Sequence, residues 1–191
     1  FYNGVQAVRC WTDVKNVGTE PQGLEYVSSF ALTGIEKEGM LSTDDKMRVW
    51  YPHNGWQREM QWESYTFPQL GLARCQPEEI QRSSKVIGAT NIGNWSTKEY
   101  LPMGLLENTE TGSNLFWQIE HNGSWHWEIS DQMGNFYIQL SGPTETESHW
   151  WKNLQPGETF TTVPVCVGST LGKFDDAMGE LSKYRRKKKK K

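Results

Sequence analysis

The fold is decided by the stretch "LFWQIEHNGSWHWEIS", residues 115–130, in which apolar and polar side chains alternate on both sides of the turn signal Asn122-Gly123. This alternation predicts two β-strands, and we expect a three-residue hairpin loop, 121–123, with Gly123 in the left-handed conformation. A strict two-residue turn would mix polar and apolar groups on both faces. In the preferred register the paired residues share one face: Ile119 with Trp125, Trp117 with Trp127 and Leu115 with Ile129.

The tryptophans after the turn could form a sugar-stacking platform or the inside of a sheet. Trp125 and Trp127 align with aliphatic partners, so we predict that they belong to the core. The opposite face would bring Glu120, His126 and Glu128 near one another, and paired carboxylates are what a glycosidase needs. Charge on the outer face of a hairpin is usually solvated, however, so we expect an exposed face there without catalysis.

Short β-rich runs separated by Pro and Gly breaks occupy most of the remaining sequence. Examples are "VQAVRCW" (5–11), "KMRVWY" (46–51) and "NFYIQL" (135–140). Repeated strands at this spacing predict an all-β fold, an antiparallel β-sandwich. The pattern changes only in "KFDDAMGELSKYRR" (173–186), where helical spacing and acidic residues in the first turn predict one short helix at the carboxyl end.

Composition predicts one globular domain and restricts its partners. The 191 residues are 36% hydrophobic, which is enough for one sizeable core. The net charge of −3 includes the five lysines 187–191, so the rest of the chain carries −8. We interpret the lysine run as an artificial or placeholder tail, and the acidic body predicts no nucleic-acid partner. Apolar runs fall short of the roughly 18 residues that span a membrane, so no membrane association is expected.

Cysteines and histidines lack the spacing of a metal or redox site. Cys10, Cys75 and Cys166 are far apart and odd in number, which favours reduced, mostly buried thiols and a cytoplasmic location. The four histidines form no metal-binding motif, and the sequence contains no nucleophile elbow or phosphate-binding loop. We therefore expect no catalytic residue, no metal and no cofactor.

Two segments, 51–65 and 91–112, combine aromatic and polar residues. Trp56 and Trp95 each stand beside Gly and Asn, and a sugar site combines a stacking ring with such polar groups. In the alternative interpretation a strand follows Gly55 directly, so that Trp56 and Trp62 are packing residues. The pattern favours packing for Trp62 and leaves Trp56 open.

These segments also carry a family resemblance. The quoted motifs are "GLEYVSSFALTG", "NGWQREMQWESYTFPQLG", "NWSTKEYLPMGLLENTETG", "FWQIEHNGSWHWEIS", "YIQLSGPTE", "LQPGETFTTVPVCVG" and "FDDAMGELSKYRR". As an ordered set, from about Val5 to Arg186, they resemble the amino-terminal β-supersandwich domain of a glycoside hydrolase family thirty-six α-galactosidase. The resemblance implies an enzyme that removes terminal α-linked galactose with retention, using two aspartates of a (β/α)8 barrel. Asp175 and Asp176 match no catalytic motif of the family.

Certain residues of this sequence match the family's sandwich motifs, and the resemblance implies that they support the domain and contact the barrel or substrate. They are Gly55, Trp56, Arg58 and Glu59, and the segment Asn94 to Tyr100, which includes Trp95. The implied partners are the catalytic barrel of the same polypeptide and further copies in a homo-oligomer, with an α-galactoside as a candidate ligand.

Together these observations predict a domain organisation and two candidate functions. We expect a sandwich domain at 1–172 that lacks earlier strands, a linker helix at 173–186 leading toward an absent barrel, and the tail at 187–191. The first candidate is the non-catalytic domain of an α-galactosidase, which supports the barrel and oligomer contacts and is inactive alone. The alternative is an independent, lectin-like carbohydrate-binding module, based on the aromatic count and the two loops.

Overall fold

The computed structural model describes residues 2–72, 85–132 and 134–189, and its strands form two main antiparallel sheets. The six-stranded sheet contains, in spatial order, β1 (Ala7–Cys10), β14 (Val165–Leu171), β9 (Ser113–Ile119), β8 (Met103–Asn108), β5 (Met47–His53) and β6 (Gln61–Thr66). The four-stranded sheet contains, also in spatial order, β4 (Ser28–Thr33), β11 (Asn135–Ser141), β10 (Trp125–Gln132) and β7 (Ile87–Asn91).

Smaller elements connect and cover these sheets. Two strand pairs are formed by β3 (Gln22–Leu24) with β12 (Lys152–Leu154) and by β2 (Asp13–Lys15) with β13 (Thr159–Thr161). The helices are α1 (Thr43–Lys46), α2 (Glu145–Ser148) and α3 (Phe174–Lys188), and a 3-10 turn covers Pro68–Leu70. Since α3 is the only helix longer than four residues in the described part of the chain, the predicted all-β sandwich with one carboxyl-terminal helix is confirmed.

The main hydrophobic core lies between the two sheets. Trp117 of β9 and Trp127 of β10 are at most 1% exposed and meet edge to face, with ring centroids 5.3 Å apart. The other buried members of this cluster come from both sheets and their connections: Met47, Val49, Phe67, Leu72, Ala89, Leu106, Ile119, Trp125, Ile129, Phe136, Ile138, Leu140, Val165 and Val167. Burial of this contiguous apolar surface holds the two layers together.

The predicted hairpin within residues 115–130 is wrong. Strand β9 pairs with β8 and β14, whereas β10 pairs with β7 and β11, so the two strands lie in different sheets. The connection between them crosses from one sheet to the other, and Gly123 does not have a positive φ. Ile119 and Trp125, Trp117 and Trp127, and Leu115 and Ile129 are therefore not strand partners.

The predicted burial of this stretch is nevertheless correct. Trp125 and Ile129 are fully buried, as the sheet-interior interpretation requires, and Leu115 packs against the core. In a sandwich both sheets turn one face inward, so alternate residues of β9 and β10 point to the same core whether or not the strands pair with each other. Hydrophobic alternation identifies the inward face but leaves the partner strand open.

The outer face of the six-stranded sheet is covered by α3. Phe116 of β9, Leu105 of β8 and Cys166 of β14 are fully buried against the apolar side of that helix, which includes Leu181 and Tyr184. Gly168 of β14 makes the close fit possible, since a Cβ there would lie 2.1 Å from the Phe116 ring. The helix thus gives the sheet a second, smaller core.

Helix α3 continues to Lys188, two residues past the predicted end at Arg186 and into the lysine run, and a charged cluster fixes this end on the sheet. The Glu120 carboxylate, whose side chain is 4% exposed, accepts hydrogen bonds from Arg9 Nε at 2.7 Å, Tyr184 Oη at 2.6 Å and Lys188 Nζ at 2.8 Å. The sequence predicted an exposed row for Glu120, and this prediction is wrong because the side chain is buried under α3. Burial acts to raise the pKa of Glu120, but hydrogen bonds from Lys188, Tyr184 and Arg9 outweigh it and the net effect is a lowered pKa.

We expect Trp127→Ala to lower the free energy of unfolding by about 3–5 kcal/mol, because it removes a fully buried indole from the inter-sheet core. The control is Trp151→Ala, since Trp151 is 66% exposed and its loss should change stability by at most about 0.5 kcal/mol. Urea titration followed by circular dichroism measures both. Equal losses in the two variants would contradict the assignment of Trp127 to the core.

We expect Glu120→Gln to lower the unfolding free energy at neutral pH by about 1.5–3 kcal/mol, the scale of hydrogen bonds to a charged group. Because the folded pKa of Glu120 lies below its ordinary value of 4.5, this stabilisation is present above that pH and disappears as pH falls through the folded pKa. The difference between wild type and variant, from urea titrations at several pH values, should shrink on acidification. Glu20→Gln, at an exposed position, is the control. A difference that grows toward acidic pH would refute the cluster's role.

Candidate functional site

The loop that carries Trp56, Arg58 and Glu59 is the tip of the β5–β6 hairpin. Strand β6 begins only at Gln61, so the strand directly after Gly55, which the alternative interpretation required, is not formed. Two residues with positive φ, Gln57 and Met60, give the tip an irregular path that interrupts side-chain alternation. Trp56 is 83% exposed, and Arg58 and Glu59 are also exposed.

Trp62 has the packing role that the alternative interpretation favoured. Its ring lies 4.9 Å from the ring of Phe174 at the start of α3, in an edge-to-face contact. Trp50 of the neighbouring strand contacts the same phenylalanine with ring centroids 5.0 Å apart. The hairpin therefore holds one tryptophan under the helix and carries the other, Trp56, into solvent.

The second predicted segment, 91–112, contains strand β8, and only its first part, 92–99, forms a loop that lies beside the first. The backbone N–H of Asn54 donates to the Glu99 carbonyl at 2.8 Å, and the Asn54 side-chain amide donates to the Thr97 carbonyl. The loop is also fixed to the core, because the Trp125 indole N–H donates to the Ser96 carbonyl at 2.7 Å. All five predicted site residues are therefore exposed on two adjoining loops: Trp56, Arg58, Glu59, Asn94 and Trp95.

A polar groove, which the sequence did not predict, lies on the outer face of the four-stranded sheet. Its volume is about 650 Å³, and its walls come from β4, β10, β11, the α2 region and the segment before β4. The lining residues are Tyr26, Ala31, Leu32, Thr33, His126, Glu128, Gln132, Tyr137, Gln139, Thr144, Thr146 and Glu147. We call this feature the sheet groove.

Hydrogen bonds order the polar side chains of the sheet groove. Glu128 accepts from Tyr137 Oη at 2.9 Å and lies 3.2 Å from His126 Nε2. His126 Nδ1 is 2.7 Å from Thr90 Oγ1, and the Thr90 hydroxyl reaches Glu147 at 3.4 Å. With Nε2–H donating to Glu128, the Nδ1 atom accepts the single hydroxyl proton of Thr90, so one tautomer satisfies both strong contacts. The 3.4 Å approach of Thr90 to Glu147 is then a close contact without a donated proton.

The predicted neighbourhood of Glu120, His126 and Glu128 is half correct. His126 and Glu128 do meet, but Glu120 lies on the opposite outer face of the sandwich, under α3. His126 is only 8% exposed, which contradicts a solvated row. The other groove walls were missed because Tyr26 and Glu147 belong to irregular or very short elements without a periodic signal.

The rim tyrosine of the groove stays a neutral hydroxyl under ordinary conditions. Burial, with a smaller contribution from nearby Glu128, raises the pKa of Tyr26 to about 12. Its hydroxyl donates to the side-chain carbonyl of Gln139. The groove therefore presents fixed, uncharged donors and acceptors beside its carboxylates.

A shallower depression lies beside the end of α2. Its volume is about 370 Å³, and Asn94 is the one predicted site residue that lines it. Its other lining residues include His121, His149 and Trp150. Burial lowers the pKa of His121, which favours the neutral imidazole there.

The remaining acidic and metal-binding candidates have structural explanations. Asp176 accepts a hydrogen bond from the Lys173 backbone N–H at 2.8 Å, which caps the start of α3. Within residues 2–72, 85–132 and 134–189, no group of three or more His, Cys, Asp or Glu side chains could hold a metal ion. None of the described helices is both long and apolar enough to cross a membrane.

Comparison by sequence finds no matching family model and no curated protein that matches. Solved structures do match. The α-galactosidase from Lactobacillus brevis has a TM-score of 0.69 at 16% identity, over 93% of this chain and 20% of that one. The GH36 α-galactosidase AgaA from Geobacillus stearothermophilus has a TM-score of 0.68 at 19% identity, over 90% and 21%.

The galactosidase domain of the α-galactosidase-sucrose kinase AgaSK is also similar, with a TM-score of 0.67 at 18% identity, over 87% of this chain and 20% of that one. This chain thus spans about a fifth of the length of the enzymes it matches. The predicted resemblance is confirmed at the level of the fold. The chain has the fold of one domain-sized part of the GH36 α-galactosidases.

Proposed function

We propose that this chain is the non-catalytic amino-terminal sandwich domain of an α-galactosidase-like glycoside hydrolase, packed against the catalytic barrel of the same polypeptide. One observation carries the proposal: the chain matches α-galactosidase structures over about nine tenths of its own length but only about a fifth of theirs. In this proposal the larger remainder supplies the chemistry, and the whole polypeptide hydrolyses terminal α-galactosides with retention.

The placement of the carboxylates supports a non-catalytic role. Retaining hydrolysis needs two carboxyl groups about 5 Å apart around the sugar. Glu120 is occupied by Arg9, Tyr184 and Lys188, while Glu128 lies on the opposite face of the sandwich. Glu128 accepts a hydrogen bond from Tyr137 on one oxygen and lies 3.2 Å from His126 on the other.

We further propose that the two adjoining loops contact the barrel or a neighbouring subunit in a homo-oligomer. Trp56 is 83% exposed and Trp95 is 52% exposed, and large exposed aromatic side chains are enriched at protein interfaces. A rigid hydrogen-bonded base, formed by Asn54 with Thr97 and Glu99, holds the loops together. This arrangement suits a contact surface better than a mobile ligand loop.

The lectin-like alternative at these loops has less support. A sugar site needs a ring together with polar groups that converge on one cavity. Trp56 and Trp95 line neither the sheet groove nor the depression beside α2. Stacking on one exposed ring alone gives little binding energy.

A cytoplasmic location belongs to the same proposal. Cys10 and Cys166 are free thiols, and burial raises the pKa of Cys166 to about 12, which makes that thiol unreactive. The third cysteine, Cys75, lies outside the described residues. Unpaired thiols are typical of reducing compartments.

We expect the 191-residue chain to release no more p-nitrophenol from p-nitrophenyl α-galactoside than buffer does, because in this proposal the catalytic carboxyl pair lies in the rest of the polypeptide. The longer polypeptide that contains it should hydrolyse the substrate with retention, as followed by proton NMR of the first-formed anomer. Hydrolysis by the short chain that Glu120→Gln or Glu128→Gln abolishes would refute the non-catalytic role. A longer polypeptide without α-galactosidase activity would refute the proposed parent enzyme.

We expect the isolated chain to self-associate through the loop surface, and Trp56→Ala to weaken association by about 30-fold, the effect of losing a hot spot worth about 2 kcal/mol. Light scattering and sedimentation over a concentration series measure the dissociation constant. Trp151→Ala is the matched control, since Trp151 is also exposed but lies outside both loops. A wild-type chain that stays monomeric, or equal effects of the two substitutions, would contradict this contact surface.

A further inference from the structure

We propose that the sheet groove is a binding site for a neutral saccharide. The site lies apart from the loops that carry Trp56 and Trp95, and the inference does not depend on the proposed parent enzyme. It is based on the shape of the groove, the charge of its lining and the hydrogen bonds that order its polar atoms.

The size and position of the groove suit a small ligand. A volume of about 650 Å³ lies within the usual range for small-molecule sites, roughly 300–1,000 Å³. The floor is the outer face of the four-stranded sheet, and the α2 region forms one wall. Rigid strands therefore supply most of the contact atoms, so little conformational entropy is lost on binding.

The charge of the lining selects against anions. Glu128 and Glu147 both face the groove, and none of its described lining residues is Lys or Arg. A phosphate or a carboxylate would meet repulsion from these two carboxylates, and no cation of the described lining offsets it. A hydroxyl-rich neutral molecule meets none, and each of its hydroxyl groups can donate to a carboxylate in a charge-assisted hydrogen bond.

The polar atoms are also held in place before a ligand arrives. Tyr137 and His126 contact different oxygens of Glu128, and the Thr90 hydroxyl donates to His126 Nδ1 at 2.7 Å. A carboxylate oxygen accepts more than one hydrogen bond, so these contacts orient the acceptors and leave them able to bind hydroxyl groups.

An apolar side of the groove complements these polar atoms. Tyr26 is 43% exposed and Leu32 is 40% exposed, and both line the groove. A sugar ring has hydroxyl groups on its edge and C–H groups on its faces, so it can contact an aromatic or aliphatic surface and polar atoms together. The combination of Tyr26 with Glu128 and Glu147 provides both kinds of contact.

The test is saturation-transfer NMR on the 191-residue chain with galactose, glucose, raffinose and maltotriose, each titrated to about 50 mM. We expect dissociation constants in the millimolar range for at least one saccharide, since a single open site of this kind gives modest affinity. Tyr26→Ala and Glu147→Ala should each weaken binding by about tenfold or more. Glu145→Ala, which changes an exposed glutamate of the same short helix outside the groove, should leave binding unchanged.

Two further measurements distinguish a sugar site in the sheet groove from a sugar site on the loops and from a cation site. Trp56→Ala should leave binding intact, and loss of binding in that variant alone would place the sugar on the loops and overturn the proposal. Putrescine serves as a cation probe, and tighter binding of putrescine that weakens with added salt and with Glu147→Ala would overturn it as well. So would the absence of saturation transfer to all four sugars from a chain with a native circular dichroism spectrum. The p-nitrophenyl α-galactoside assay of the longer polypeptide is independent of all these results.

Discussion

The contact between Trp117 and Trp127 is the interaction on which the two-layer structure depends. Each indole comes from a different sheet, both are buried, and neither indole N–H has a hydrogen-bond acceptor among the described residues. An unsatisfied buried donor costs about 1–3 kcal/mol, while burying a side chain of this size contributes about 3–5 kcal/mol. The free energy gained by burying the two rings is therefore larger than the cost of their unpaired N–H groups. Gly104, which pairs with Trp117, provides the space, because a Cβ there would lie 2.3 Å from that ring.

With that core in place, each outer face of the sandwich meets a different environment. The six-stranded sheet presents Phe116 and Leu105 outward. The apolar side of α3 covers these side chains and removes them from water. The four-stranded sheet presents His126, Glu128 and Gln139, and remains open as the sheet groove. The two outer faces therefore give their carboxylates different surroundings. Glu120 accepts hydrogen bonds from three donors and holds α3 on one sheet, whereas Glu128 on the other sheet faces an accessible groove.

The sequence predicts the inward faces of strands far better than their neighbours. Alternation around Trp117 and Trp127 correctly indicates burial, but the same alternation fits a hairpin and a connection between two sheets, because both direct alternate residues to one core. The terminal helix is predicted from local spacing and acidic residues near its start. The sequence leaves the hairpin tip at Trp56 open between loop and strand, since the positive φ of Gln57 and Met60 has no glycine to signal it.

Sites that depend on distant segments leave the weakest sequence signal. The exposed loops are predicted because each contains a tryptophan within a short polar run, yet Asn54, which joins them by bonding to Thr97 and Glu99, has no local pattern that marks its role. The sheet groove is harder still, because its walls come from separate segments: His126 and Glu128 lie on β10, Tyr137 on the next strand and Glu147 on α2. Convergence of this kind is a property of strand order, and strand order is the feature that hydrophobic alternation leaves open.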